Sequence, residues 1–371
     1  MLRICIFFVL LVAVFSADAQ RLAGYGVEVN VMHGHMLKHT TAFTGPLPKN
    51  VRSVELNFIQ QTAGQKPWQA SRGYPLVGVS VSYVDYGIDS VYGIAIGIHP
   101  NIQIPVITSK NFEWTFRAGG GVGYVTRRYS RTDGPDADTL NPAIGSHMNN
   151  FSRFSTDLRY RVNTHLDVQA GVHFFHLSNA SFRRPNLGIN VWGLHIGMRY
   201  FPVTSQPKKI RTTIPPTPRW CGGIRAGVGF VETGPSDGPL YPAYLGSAWV
   251  GRRWRGRNRV FVGADASYSN RIEAFLKNNE IHVGEEAKHS WRGGVSVGNE
   301  FHFGRTGIVF QAGVYLKEAY LRAGRSYQKI GGQYYLLQRD RGDVRDAFIA
   351  ILLNTHLSEA ELAEFGVGIG F

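Results

Sequence analysis

The chain has 371 residues, enough for two average domains or one large β structure. Charged residues are only 18%, while Gly (44 residues) and aromatics (12%) are plentiful, which excludes a disordered or collagen-like chain and favours strands over a helical bundle. The net charge of +14 calls for an acidic partner, either nucleic acid or an anionic lipid surface.

The amino terminus decides between those partners. Arg3 precedes an unbroken apolar run from Ile4 to Phe15, and Ala17-Asp18-Ala19 has the form of a cleavage site. Residues 1–20 therefore read as an export signal cut near residue 19, and an exported chain meets no nucleic acid. Cys5 leaves with the signal, so Cys221 remains alone and no intramolecular disulfide is expected. Past residue 20 the longest apolar run, Ala347 to Leu353, is far too short for a spanning helix. Export then leaves a soluble periplasmic or secreted protein, or a β-barrel in an outer membrane.

Residues 21–201 contain eight alternating segments, near 24–33, 52–61, 75–86, 90–106, 111–127, 152–163, 165–178 and 189–201. In the sixth, Phe154, Leu158, Tyr160 and Val162 share one face, while Arg153, Ser155, Asp157, Arg159 and Arg161 share the other. Phe112, Trp114 and Phe116 alternate in the same way against Glu113, Thr115 and Arg117. A soluble sandwich also alternates. Here, however, one face is large and apolar with aromatics near strand ends, and the other is small, glycine-rich or charged. That pattern predicts an all-β fold, an antiparallel transmembrane β-barrel, with eight strands in this half.

The seventh segment ends in a cluster that bears on chemistry. Leu166, Val168, Ala170, Val172 and Phe174 form its apolar face, and continuing the parity places His176 and Ser178 on it. In the eighth segment Asn190 shares the face of Trp192, Leu194, Ile196, Met198 and Tyr200. Antiparallel neighbours bring these ends together, so His176, Ser178 and Asn190 are expected to meet on the outer wall. Ser with His is the nucleophile and base of acyl transfer. On spacing alone, the trio is also compatible with a structural cluster at a membrane interface.

Residues 202–220 are Pro-rich, do not alternate and read as a linker. Alternation resumes in residues 221–371, as in Val260, Val262, Ala264, Ala266 and Tyr268, and in Ile308, Phe310, Ala312, Val314 and Leu316. The chain ends with Phe365, Val367, Ile369 and Phe371 on one face, and a terminal aromatic on a last strand resembles the assembly signal of outer-membrane proteins. Assembly machinery and outer-membrane lipids are therefore expected partners. This half reads as about eight strands, possibly seven, forming a second barrel-like domain; one continuous barrel of about sixteen strands competes. Gly294-Val295-Ser296-Val297-Gly298 matches the nucleophile elbow but lies inside an alternating strand, where no elbow forms. His33-Gly34-His35 is too small a set for a metal site, and no cofactor is called for.

His176-Leu177-Ser178-Asn179-Ala180, followed by Pro185-Asn186 and Gly188, resembles the signature of the PagL family of lipid A 3-O-deacylases. The resemblance spans about residues 21–201. It implies an eight-stranded outer-membrane barrel, lipid A of lipopolysaccharide as partner and substrate, Ser178 as nucleophile and His176 as base. It also implies that Asn179 supports the site and that the loop with Asn186 and Gly188 helps form the oxyanion hole. The family's acidic residue falls at Asn190, whose amide orients an imidazole but lacks the charge to stabilise imidazolium. Arg183 and Arg184 in the adjoining loop are candidate ligands for lipid A phosphates. The alternatives are a non-catalytic barrel that keeps the site's shape and, more distantly, a porin-like channel lined by the inward charges.

Overall fold

The computed structural model describes residues 23–131, 138–203, 208–211, 220–254, 257–321, 324–339, 341–357 and 359–371. The expected export signal and most of the expected linker lie outside these residues. Sixteen strands form two closed antiparallel barrels. The first runs β1 (Tyr25–Met36), β2 (Val51–Gln61), β3 (Leu76–Asp85), β4 (Ile94–Thr108), β5 (Phe112–Val125), β6 (Met148–Arg161), β7 (Leu166–Ser178) and β8 (Ile189–Tyr200). The second runs β9 (Cys221–Glu232), β10 (Leu240–Trp254), β11 (Asn258–Ser269), β12 (Trp291–Phe303), β13 (Thr306–Lys317), β14 (Ser326–Gln338), β15 (Asp346–His356) and β16 (Glu359–Gly370). A short helix α1 (Pro67–Ser71) lies between β2 and β3, and α2 (Asn270–Asn278) follows β11.

Each barrel closes on itself. β1 pairs with β8 from Val27↔Tyr200 to Met36↔Val191, and β16 pairs with β9 from Phe365↔Val228 to Gly370↔Gly223. The single sixteen-stranded barrel is thereby excluded, and the second half has eight strands rather than seven. β6 starts at Met148, four residues before the expected 152, because Met148, Asn149 and Asn150 pair with Tyr124, Gly123 and Val122. Part of the 202–220 stretch is docked rather than free: Ile210 N–H donates to Ala63 O at 2.7 Å and Tyr74 Oη donates to Ile210 O at 3.1 Å.

The exterior is the apolar face. Val54, Phe58, Ile96, Ile98, Val122, Leu158, Leu194 and Ile196 are exposed around the first barrel, an apolar band too continuous for a water-facing surface. Tyr25, Phe112, Tyr160 and Tyr200 mark one rim of it. The mid-barrel interior holds ion pairs. Arg117 Nη1 bridges Glu28 (2.9 Å) and Glu55 (2.8 Å), Arg153 meets Glu55 at 2.8 Å, and Asp157 meets His195 at 2.6 Å. These groups are at most 4% exposed, so the inward charges fill the barrel and do not line a porin-like lumen. Toward the end carrying the long connections after β1, β5 and β7, the filling turns apolar, with Phe43, Tyr92, Ile144, Phe151, Phe175, Leu177, Ile189 and Val191 in one cluster.

Glu55 is the acceptor that neutralises two buried guanidinium groups. Glu55→Ala should lower stability by about 3–5 kcal/mol, because it leaves both charges buried with less compensation. Arg52→Ala, at an exposed position on the same strand, should stay within about 0.5 kcal/mol. Urea unfolding in detergent, followed by heat-modifiable gel mobility, measures both; equal midpoints would show that the network adds no stability.

Candidate active site

Two adjacent strands and the loop between them build the site. On β7 the even positions point outward, so the face bearing Val168, Ala170 and Val172 delivers His176 and Ser178 at the loop end. The intervening Phe175 and Leu177, with Ile189 and Val191 of β8, point inward and are at most 1% exposed in the apolar cluster. A one-residue slip would turn these four out of the core, so the outward set is held in place. His176 lies directly opposite Asn190 in the β7–β8 register.

The side chains are connected. His176 Nε2 is 2.8 Å from Ser178 Oγ, and His176 Nδ1 is 2.6 Å from Asn190 Oδ1. Asn190 Oδ1 can only accept, so Nδ1 carries the ring proton and Nε2 presents its lone pair to the Ser178 hydroxyl. Asn190 Nδ2 in turn donates to His39 Nδ1 at 2.8 Å. His39, from the β1–β2 loop, accepts there in the tautomer whose Nδ1 carries no proton, and in that tautomer it holds Oδ1 of the amide toward His176. On the other side, β6 places Asn150 opposite Ser178 and Ser152 opposite His176, with Asn150 Nδ2 donating to Ser152 Oγ at 2.9 Å. The result is a polar patch on an apolar outer wall. Ser178 is 4% exposed and His176 is half-buried.

The 179–188 loop is tied to the wall and to the neighbouring loop. Asn179 N–H donates to Asn186 Oδ1 at 2.8 Å, and Asn179 Nδ2 donates to Ser146 Oγ at 2.8 Å. Asn186 Nδ2 has no protein acceptor among the described residues. Gly145 N–H donates to Pro185 O and Gly188 N–H to Ala143 O. Gly188 has φ +78°, and a Cβ there would sit 2.9 Å from His176 Cε1, so only glycine lets the chain pass behind the imidazole. Arg183 does not stand free: its Nη1 pairs with Glu232 of the second barrel at 2.9 Å. The Arg184 side chain is exposed, and its backbone N–H also donates to Glu232.

The structure therefore brings Ser178, His176 and Asn190 together and sets Asn179, Asn186 and Gly188 around them. Sequence reading missed His39, Asn150 and Ser152. The last two were within reach of a correct β6–β7 register, whereas His39 carries no local signal. Elsewhere, Ser296 points inward from mid-β12 and donates to Asp265 Oδ2 at 2.9 Å, so its G-x-S-x-G match forms no elbow. His33 and His35 project outward, and His35 packs edge-on to Trp192. Among the described residues no group of three or more His, Cys, Asp or Glu is placed to hold a metal ion.

Two family models match the chain: lipid A 3-O-deacylase (PagL) over residues 52–199, and the C-terminal domain of acyloxyacyl hydrolase over residues 221–371. The first barrel belongs to the PagL family of lipid A 3-O-deacylases, and the second matches the PagL C-terminal domain. The two matched regions correspond to the two barrels, and the Ser178–His176–Asn190 cluster lies in the first. Among solved structures, the outer-membrane enzyme PagL is 18% identical over 46% of this chain and 97% of its own, with a TM-score of 0.30. A monoaromatic hydrocarbon channel, a TodX deletion mutant, is 9% identical over 96% of this chain and 92% of its own, with a TM-score of 0.18. Omp33 of Acinetobacter baumannii is 8% identical over 94% and 97%, with a TM-score of 0.16. No curated protein matches. Fold and family together make this a β-barrel of outer-membrane type.

The contact behind the imidazole generates a prediction. Gly188→Ala should destabilise the protein by about 1–3 kcal/mol through the left-handed backbone and the clash with His176. Unfolding midpoints in detergent measure this; an unchanged midpoint would mean that the loop moves without cost.

Proposed function

We propose that this protein is an outer-membrane serine esterase that removes an ester-linked acyl chain from lipid A, with Ser178 as nucleophile and His176 as general base. The observation that carries this reading is the pair of short hydrogen bonds joining Ser178, His176 and Asn190 on the outward, apolar wall of a barrel in a lipid A deacylase family. The substrate's ester then reaches the hydroxyl without leaving the membrane.

The arrangement supports a two-step acyl transfer. Ser178 Oγ attacks the ester carbonyl carbon while His176 Nε2 takes the hydroxyl proton. The tetrahedral intermediate collapses, the sugar oxygen leaves with the proton from His176, and the acyl group stays on Ser178. Water then attacks the acyl-enzyme with His176 again as base and releases a free fatty acid. Asn186 Nδ2, with no acceptor of its own, is the donor we assign to the developing oxyanion. Arg184, whose side chain remains exposed, is assigned to a lipid A phosphate; Arg183 is already neutralised by Glu232. The long-loop end would face the cell exterior, where lipopolysaccharide forms the outer leaflet.

Asn190 replaces a carboxylate with a neutral acceptor. In serine hydrolases an amide at this position can cost on the order of 10⁴ in kcat, chiefly by presenting its N–H₂ and forcing the wrong imidazole tautomer. Here His39, with Nδ1 unprotonated, accepts from Asn190 Nδ2, which keeps Oδ1 toward His176 and preserves the productive tautomer.

Mass spectrometry of lipid A incubated with purified protein tests the reading. Ser178→Ala should abolish fatty-acid release while leaving heat-modifiable mobility intact; equal release by both would refute the mechanism. No release by either would favour the non-catalytic barrel, the reading that Asn190 itself recommends.

The amide makes a separate prediction. Asn190→Glu should raise kcat by restoring charge beside the imidazolium. His39→Phe should lower kcat at least about tenfold in the natural chain, yet have little effect in the Asn190→Glu background, where no amide needs orienting. An equal loss in both backgrounds would remove His39 from this role.

A further inference from the structure

Glu232 stands where a carboxylate is least expected. It closes β9, whose even positions Ile224, Ala226 and Phe230 face outward and are exposed. Glu232 shares that parity yet is 0% exposed. A charged group on the outer face of a barrel strand is costly, and a wholly buried carboxylate must find donors. Both donors to its carboxylate come from the other barrel. Arg183 Nη1 donates to Oε1 at 2.9 Å, and the Arg184 backbone N–H donates to Oε2.

The contact continues along the loop that follows Ser178. Glu232 N–H donates to Ser181 O at 3.3 Å, Ser181 Oγ donates to Ala360 O at 2.6 Å, and Arg183 Nη1 also reaches Gly238 O at 3.4 Å. Ala180 and Ser181 hold left-handed backbone, at φ 54° and 62°, which non-glycine residues keep only where surroundings over-determine it. The rims of β9 and β16 provide those surroundings. At the opposite end a second latch joins the barrels. Arg72 Nη2 donates to Asn258 Oδ1 at 3.0 Å and to His302 O at 3.3 Å, its guanidinium lies 4.8 Å from the Phe303 ring, and Trp68 meets Phe303 edge-on. Fastened at both ends, the second barrel can act on the loop as a rigid body.

We infer that the second barrel is a positioning device for the active-site loop of the first, and that Glu232 is its principal positioning residue. This rests on the reading of Ser178 as nucleophile. Ser178 and His176 lie on β7 and keep their mutual geometry without the clamp. Asn179 and Asn186 flank the clamped residues; Asn179 N–H holds Asn186 Oδ1, and the loop's path sets where Asn186 Nδ2 stands relative to the ester oxygen. That donor matters most once the oxygen becomes negative, so the clamp serves the transition state more than substrate binding.

The test uses the full chain in detergent, with lipid A as substrate. Glu232→Gln should lower kcat at least tenfold with KM within twofold. Arg183→Met should do the same, and the double variant should be no worse than either single one, since both break one contact. Hydrogen–deuterium exchange should quicken in residues 179–188 of Glu232→Gln and stay unchanged in 166–178. Wild-type kcat and wild-type exchange in Glu232→Gln, or a fall in KM affinity alone, would overturn the inference. If Glu232→Gln fails to show a heat-modifiable barrel, Arg183→Met carries the same comparison. A wild type that releases no fatty acid, or a Ser178→Ala variant as active as wild type, would sink the nucleophile instead; loop exchange would then decide the clamp by itself.

Discussion

Inside a bilayer no water satisfies a strand edge, so the hydrogen-bonded closure of β1 onto β8, and of β9 onto β16, is the constraint on which the rest depends. Closure gives every strand position one of two destinations. Odd residues of β7 enter the barrel, even residues meet lipid, and no local adjustment exchanges them. Closure also carries the β1–β2 loop over the start of β8, where Leu37 N–H donates to Asn190 O. His39 reaches the Asn190 side chain only because of that seam.

The interior follows from the same closure. Eight strands leave room for side chains but not for a water column, so polar residues turned inward must satisfy one another. Glu28, Glu55, Arg117, Arg153 and Arg159 do so in mid-barrel. Near the long loops the filling becomes apolar and packs against the backs of Phe175, Leu177, Ile189 and Val191. The catalytic candidates thus stand outside on a backbone held rigidly from inside. The wall inverts the usual order of a soluble enzyme, with polar chemistry outside and apolar support within.

The second barrel enters the same scheme through its rim. Ile224, Ala226 and Phe230 of β9 follow the apolar-out rule, and Glu232 breaks it at the one level where the 179–188 loop arrives. A rule-breaking residue is a guide to function in such folds, because lipid offers it nothing. Ser178, His176 and Asn190 break the rule on β7 and β8, and Glu232 breaks it on β9. All four belong to one continuous arrangement around the loop.

Much of this was legible in the chain itself, because alternation is a local property. Arg153 to Val162 reveal two faces of different character without any knowledge of their neighbours, and the i, i+2 spacing of His176 and Ser178 puts them on one face wherever the strand lies. The stretch from His176 to Gly188 likewise carried its family resemblance locally, and the PagL family model over residues 52–199 agrees with it. What the chain could not reveal depends on non-local pairing. Asn149 and Asn150 look like loop residues and become strand only by pairing, both with β5 and Asn150 also with β7. Two barrels and one large barrel differ only in which edges meet, since each strand alternates identically in both. His39 lies 151 residues from Asn190, and Arg183 lies 49 residues from Glu232. No periodicity spans such separations; only the closed sheets and their docked rims bring those side chains together.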